Sequence, residues 1–232
     1  MAKQTAEQMA EHTRIIPFGV AAVTADIAAA SRAALVAGRP LRLNDAGWDF
    51  AEAPDASRLT DRAVALAFLH DEVKRLCDPW AAHQRRFLDA YFAFVAAQVA
   101  RAVPELAARL ARFGDLYRVE DFQFSAWRPL PRAHIPDTGG WVAVDFAFWT
   151  GAALVAIDVA DGRRTARRLA AGHDRLRAVG VLASAIAPDA LAGDLGACLP
   201  EALQRFCNGE DLPSSPFKAA TLGDIVDLDD RS

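Results

Sequence analysis

The chain has 232 residues, a formal net charge of −4, 53% apolar residues and 24% charged residues. That length makes one domain, or one domain with an extension, and folding should remove about 70% of the unfolded surface. The composition excludes wholesale disorder, a collagen-like repeat and a disulfide-framed miniprotein. The charge argues against a globally basic nucleic-acid coat protein, though not against a local basic patch.

The three cysteines, Cys77, Cys198 and Cys207, are odd in number and lack zinc-ligand spacing, so they read as thiols in a reducing compartment. The first residues carry Lys3, Glu7, Glu11 and Arg14 around no apolar core, unlike a signal peptide. The longest apolar stretches, near 92–103 and 142–159, are broken by Gln98, Arg101, Asp145 and Asp158. Neither reaches the ~20 clean residues that span a bilayer. The expectation is a soluble, cytoplasmic protein with no membrane partner.

In chain order, residues 21–37 read as an alanine-rich helix that stops at Gly38 and Pro40. Residues 41–55 read as an irregular connection. Residues 56–76 form a second helix, with Val64, Leu66, Leu69 and Val73 near a 3.6 period. Residues 81–113 form a long helix with Phe87, Leu88, Tyr91, Phe92, Val95 and Val99 on one stripe, split or kinked by Pro104. Alternation over 116–124 predicts a strand, and the Pro- and Gly-rich stretch 128–140 a loop or long hairpin connection. Strands follow over 141–149 and 152–159 around a turn at Thr150 and Gly151. A helix over 163–179 ends at Gly180, a short strand covers 181–187, and 188–208 is mostly helical. This order predicts a mixed α/β (α+β) domain. It has a helical region over 1–80, a core of four strands flanked by helices over 81–209, and an acidic tail over 210–232.

Two carboxylates interrupt apolar strands, Asp145 and Asp158. A carboxylate in a buried strand costs several kcal/mol unless it is paired, hydrogen-bonded or bound to a cation. Both lie at similar distances from the Thr150–Gly151 turn, so they can sit side by side across the hairpin. Two readings follow: a pair that a hard cation such as Mg²⁺ would reconcile, or strand-end caps and partners of nearby arginines.

The matching text is Val144–Asp145–Phe146–Ala147, then Ile157–Asp158–Val159–Ala160–Asp161–Gly162, then the arginine-containing helix through Arg175 to Gly180 and Val181. With the element order, it resembles the PD-(D/E)XK, or restriction-endonuclease-like, superfamily. The likeness is greatest to small endonuclease domains of the very-short-patch-repair type, and it covers about residues 87–203. The resemblance implies a metal-dependent phosphodiester hydrolase acting on DNA. Asp145, Asp158 and the carbonyl of Val159 would hold Mg²⁺ or Mn²⁺, and Asp161 would assist. The family places a lysine two residues after the second acid, where this chain has Ala160. A second expectation therefore stands beside the first: a nuclease-like fold without cleavage, used for binding or assembly, with the N-terminal helices as the surface for a protein partner or a second copy.

Arg163, Arg164, Arg167, Arg168 and Arg175 cluster in the helical segment after the second acid. They could follow phosphates, or form a solvated face paired to local acids. The histidines lack zinc-ligand spacing, the serines lack a nucleophile elbow, and neither a P-loop nor a GxGxxG motif is present.

Overall fold

The computed structural model describes residues 14–15, 33–35, 38, 40–43, 61–137, 139–160 and 166–204; for 14, 15, 33, 34, 114–116 and 166–168 this extends to the backbone only. The expectations for 21–32, 44–60 and the acidic tail lie outside the described residues.

Two short strands, β1 (Arg14–Ile15) and β2 (Ala33–Ala34), pair antiparallel. The described end of the expected 21–37 helix is thus extended, because alanine's helix propensity is a weak prior that tertiary pairing overrides. Next come helices α1 (Arg62–Arg75), α2 (Ala82–Arg101) and α3 (Val103–Leu110). Asp61 caps α1 by accepting from the N–H groups of Ala63 and Val64. The break between α2 and α3 falls at Ala102, where Pro104 cannot donate to the α2 ladder but fits the first turn of α3.

The main sheet has four strands in the order β3 (Leu130–Asp137), β4 (Gly140–Trp149), β5 (Leu154–Val159), β6 (Leu182–Ile186). The first three form an antiparallel meander; helix α4 (Ala166–Ala178) then crosses over, and β6 runs parallel to β5. Gly180, at φ 88°, ends α4, with Val181 N–H donating to the carbonyl of Leu176. Beyond β6 lie a 3-10 turn (Pro188–Ala192) and the short helices α5 (Leu195–Cys198) and α6 (Glu201–Gln204).

Two expected elements change places. Residues Val119–Ser125, read as a strand, form 3-10 turns. Buried Asp121 accepts there from the N–H of Arg118 and from Arg62 Nε at 2.6 Å, which draws the backbone into a turn. The first strand instead occupies the proline-rich stretch, as β3. An edge strand tolerates Pro131 and Pro136 because only one of its sides needs ladder donors.

Each face of the sheet has its own core. On one, Phe146, Phe148, Val155, Ile157 and Val159 pack with Phe87, Leu88, Tyr91 and Val95 of α2. On the other, Val142, Val144, Ala147, Trp149, Leu154 and Ala156 pack with Leu176 of α4. Burying each large apolar side chain contributes about 1.5–3 kcal/mol. Tyr91 is fully buried, and its hydroxyl donates to the carbonyl of Trp127 at 2.9 Å.

These cores expose an irregularity in β3 and β4. A regular strand alternates faces with period two. On β4 the α4-facing residues are Val142 and Val144, then Ala147 and Trp149; on β3 they are Leu130, then Ala133 and Ile135. Both strands take one three-residue step, at Pro131–Arg132 and at Asp145–Phe146. The register survives, with Leu130 opposite Ala147 and Ala133 opposite Val144, because each strand carries the same extra residue. Arg132, inside the step, has φ 54°, the one positive value among the described non-glycine residues. That left-handed conformation costs a side-chain-bearing residue about 1–2 kcal/mol.

Candidate functional site

The step lies where β4 and β5 part. Their pairing ends at Phe146 opposite Ile157, one position before Asp145 and Asp158 would face each other. Beyond it the side chains replace the backbone ladder. Asp145 N–H donates to Asp158 Oδ1 at 3.1 Å, and Val159 N–H donates to Asp145 Oδ2 at 2.8 Å. Each carboxylate thus caps the other strand's last free amide.

The remaining oxygens turn to opposite layers. Asp145 Oδ1 accepts from Gln84 Nε2 at 2.8 Å, and His83 Nε2 lies 3.5 Å away, both on α2. Asp158 Oδ2 lies 2.9 Å from His173 Nε2 on α4. Against an ionised carboxylate, His173 donates from Nε2–H. Gln84 is held from its other end, where Oε1 accepts the N–H of Asp78 at 3.0 Å, and this fixes which amide atom faces Asp145. Asp145, Asp158, Gln84 and His173 are all buried.

A divalent cation fits this arrangement poorly. Hard cations need several oxygen ligands converging on one point. Here all four oxygens of the pair sit against protein donors, and the carboxylates are drawn toward helices on opposite faces. Among the described residues, no three His, Cys, Asp or Glu side chains gather as a metal-holding group. A cleft of about 500 Å³ does open between the start of β4 and α4, lined by Trp141, Val142, Ala143, Asp158, Leu169 and Gly172 among others.

The other expected site residues divide. Val159 contributes its N–H to Asp145. Asp161, Arg163 and Arg164, and the side chains of Arg167 and Arg168, lie outside the described residues. Arg175 grips Asp137 at the end of β3 through Nε and Nη2, the latter at 2.9 Å. Its guanidinium holds the Asp137 carboxyl below the usual range, so its charge is already engaged locally. Arg177 pairs with Asp174 at 3.1 Å. Cys77 sits nearby as a buried thiol pushed up to about 12, chiefly by burial, and is therefore unreactive.

Nothing in the sequence analysis singles out Gln84, and His173, in the basic helix, reads equally as structural or phosphate-contacting; the structure sets both against the aspartates. Both break apolar stripes: Gln84 lies three residues before Phe87 and four before Leu88, and His173 falls between Leu169 and Leu176. A polar residue on a buried stripe needs a buried partner, and that is the signal that could have found them.

Among the described residues no helix is long and apolar enough to cross a membrane. Compared with known proteins, the chain matches no family model, no curated protein and no solved structure.

Proposed function

We propose that this chain is a nuclease-like scaffold that works by binding or assembling with a partner, and that its two strand aspartates serve as a structural lock. The single observation behind this reading is the hydrogen bonding of Asp145 and Asp158, which gives each of their four oxygens a partner from α2, α4 or the neighbouring strand. The sequence of helix, antiparallel meander, crossover helix and parallel fourth strand supports the nuclease-like part. Ala160, in place of the family's lysine, supports the non-cleaving part.

A protein partner on the helical side fits better than DNA. Trp80, in the turn between α1 and α2, is 89% exposed, and exposed tryptophans favour interfaces. Arg175 and Arg177 are already paired to acids. The test is incubation with single- and double-stranded DNA under titrated Mg²⁺ and Mn²⁺, alongside the Asp145→Ala variant. The proposal expects no cleavage in either protein.

The second reading, Mg²⁺- or Mn²⁺-dependent DNA hydrolysis, draws on the direct link between Asp145 and Asp158 on adjacent strands. Metal-dependent cutting that disappears in Asp145→Ala would favour it.

A further inference from the structure

The carboxylates are kept apart by backbone rather than by side-chain identity. Leu154 and Ala156 face α4, so Asp158, two residues on in β5, faces α4 as well, and His173 meets it there. On the upper half of β4, Ala147 and Trp149 face α4. Regular alternation from them would place Asp145 on that same face, directly across from Asp158. The three-residue step turns Asp145 toward α2 and Gln84 instead. A one-strand bulge would shift the register with β3. Here Arg132 supplies the matching extra residue, so the kink costs no register.

We propose that Arg132, held in the left-handed conformation opposite Asp145, is the positioning residue that sets this paired kink, and that the kink decides whether Asp145 and Asp158 are locked apart or converge as a cation-binding pair. The inference rests on the lock described above and adds the element that controls it. Nothing in the chemistry of the two aspartates forbids convergence. A strand without the step that keeps Phe146 opposite Ile157 brings them to one face and turns Val142 and Val144 out of the α4 core; there a divalent cation relieves their repulsion.

The test uses the full chain with Arg132→Gly and Arg132→Val, each followed by thermal melting and Mn²⁺ titration calorimetry. Glycine accepts a positive φ without strain, whereas valine's branched Cβ disfavours it. Arg132→Gly is expected to melt at or above the parent temperature and to bind no more Mn²⁺ than the parent. Arg132→Val is expected to melt lower and to gain at least tenfold in Mn²⁺ affinity, a gain removed by adding Asp158→Asn. A clear drop in melting temperature for Arg132→Gly would overturn the assignment of Arg132, and it remains readable if Arg132→Val fails to fold. A folded Arg132→Val without Mn²⁺ binding would overturn the coupling between kink and carboxylates. Tight Mn²⁺ binding by the parent, lost in Asp158→Asn, would instead refute the lock itself, whatever the Arg132 variants do.

Discussion

Gln84 shows how much one buried amide can fix. Its Nε2 donates to Asp145 and its Oε1 accepts from Asp78, so it ties the start of α2 to the sheet and to the preceding turn. Gln84→Leu leaves a buried carboxylate oxygen and a backbone amide short of a partner, and should cost about 1–3 kcal/mol in denaturant unfolding. Gln84→Glu places a second carboxylate against Asp145. It should cost more at neutral pH than Gln84→Leu and recover part of that loss as the pH is lowered, because protonating either carboxyl removes the repulsion. Equal losses for the two variants at every pH would count against the contact. At this scale the sequence spoke through exceptions to pattern. Asp145 and Asp158 stood out because they interrupt apolar strands. Asp158 follows the alternation of β5, but which way Asp145 points was hidden, because it turns on the step opposite Arg132, a residue of ordinary composition in an unusual conformation.

Helices α1 and α2 are joined in part by His70, whose ring stacks on Phe92 at 3.6 Å between centroids and 6° between planes. Burial, with help from the Lys74 cation and against a smaller opposing effect of Asp89, lowers His70 from 6.5 to about 4. The folded state therefore resists protonating a side chain that the unfolded chain protonates more readily. Stability is complete above about pH 6.5, falls as pH drops from there toward about 4, and loses on the order of 2–3 kcal/mol across the window. His70→Phe keeps the stacking and removes the titration, so its stability should vary less with pH over that range. Parallel stability–pH curves for the parent and the variant would refute the assignment. The helices were legible as elements because their apolar stripes persist for several turns. Strand β3 was not: Pro129, Pro131 and Pro136 punctuate it like a loop, and only its place at the sheet edge makes them tolerable. Residues 119–125 misled in the opposite sense. Phe122 and Phe124 share one core, as the two-residue spacing suggests, yet Asp121 just before them draws the backbone into 3-10 turns instead of a strand.

Among the described residues, helices cover both faces of a four-stranded mixed sheet, and the fork between β4 and β5 is where α2 and α4 each meet one carboxylate of the pair. The order of elements could be read from the chain, since a meander followed by a helical crossover leaves few topologies. A partner surface on the helical side makes a separate prediction. Trp80→Ala should leave the melting temperature within about 2 °C, as expected of a surface substitution, yet should weaken self-association or partner capture. Unchanged association in analytical ultracentrifugation and pull-down would remove Trp80 from that surface.

The central claim, that Asp145 and Asp158 form a lock, is tested most directly by the melting temperature of Asp145→Asn in EDTA. The lock predicts a loss. Gln84 Nε2 and Val159 N–H both donate to Asp145 and neither can reverse its role, so the new amide NH₂ must face a donor. The cost should be about 2 kcal/mol or more, roughly 5 °C or more for a chain of this size. A metal-binding pair predicts the reverse: without a cation the two charges repel, so neutralising one would raise the melting temperature. An Asp145→Asn protein that melts higher than the parent in EDTA, beside a parent that Mn²⁺ stabilises, would contradict the lock.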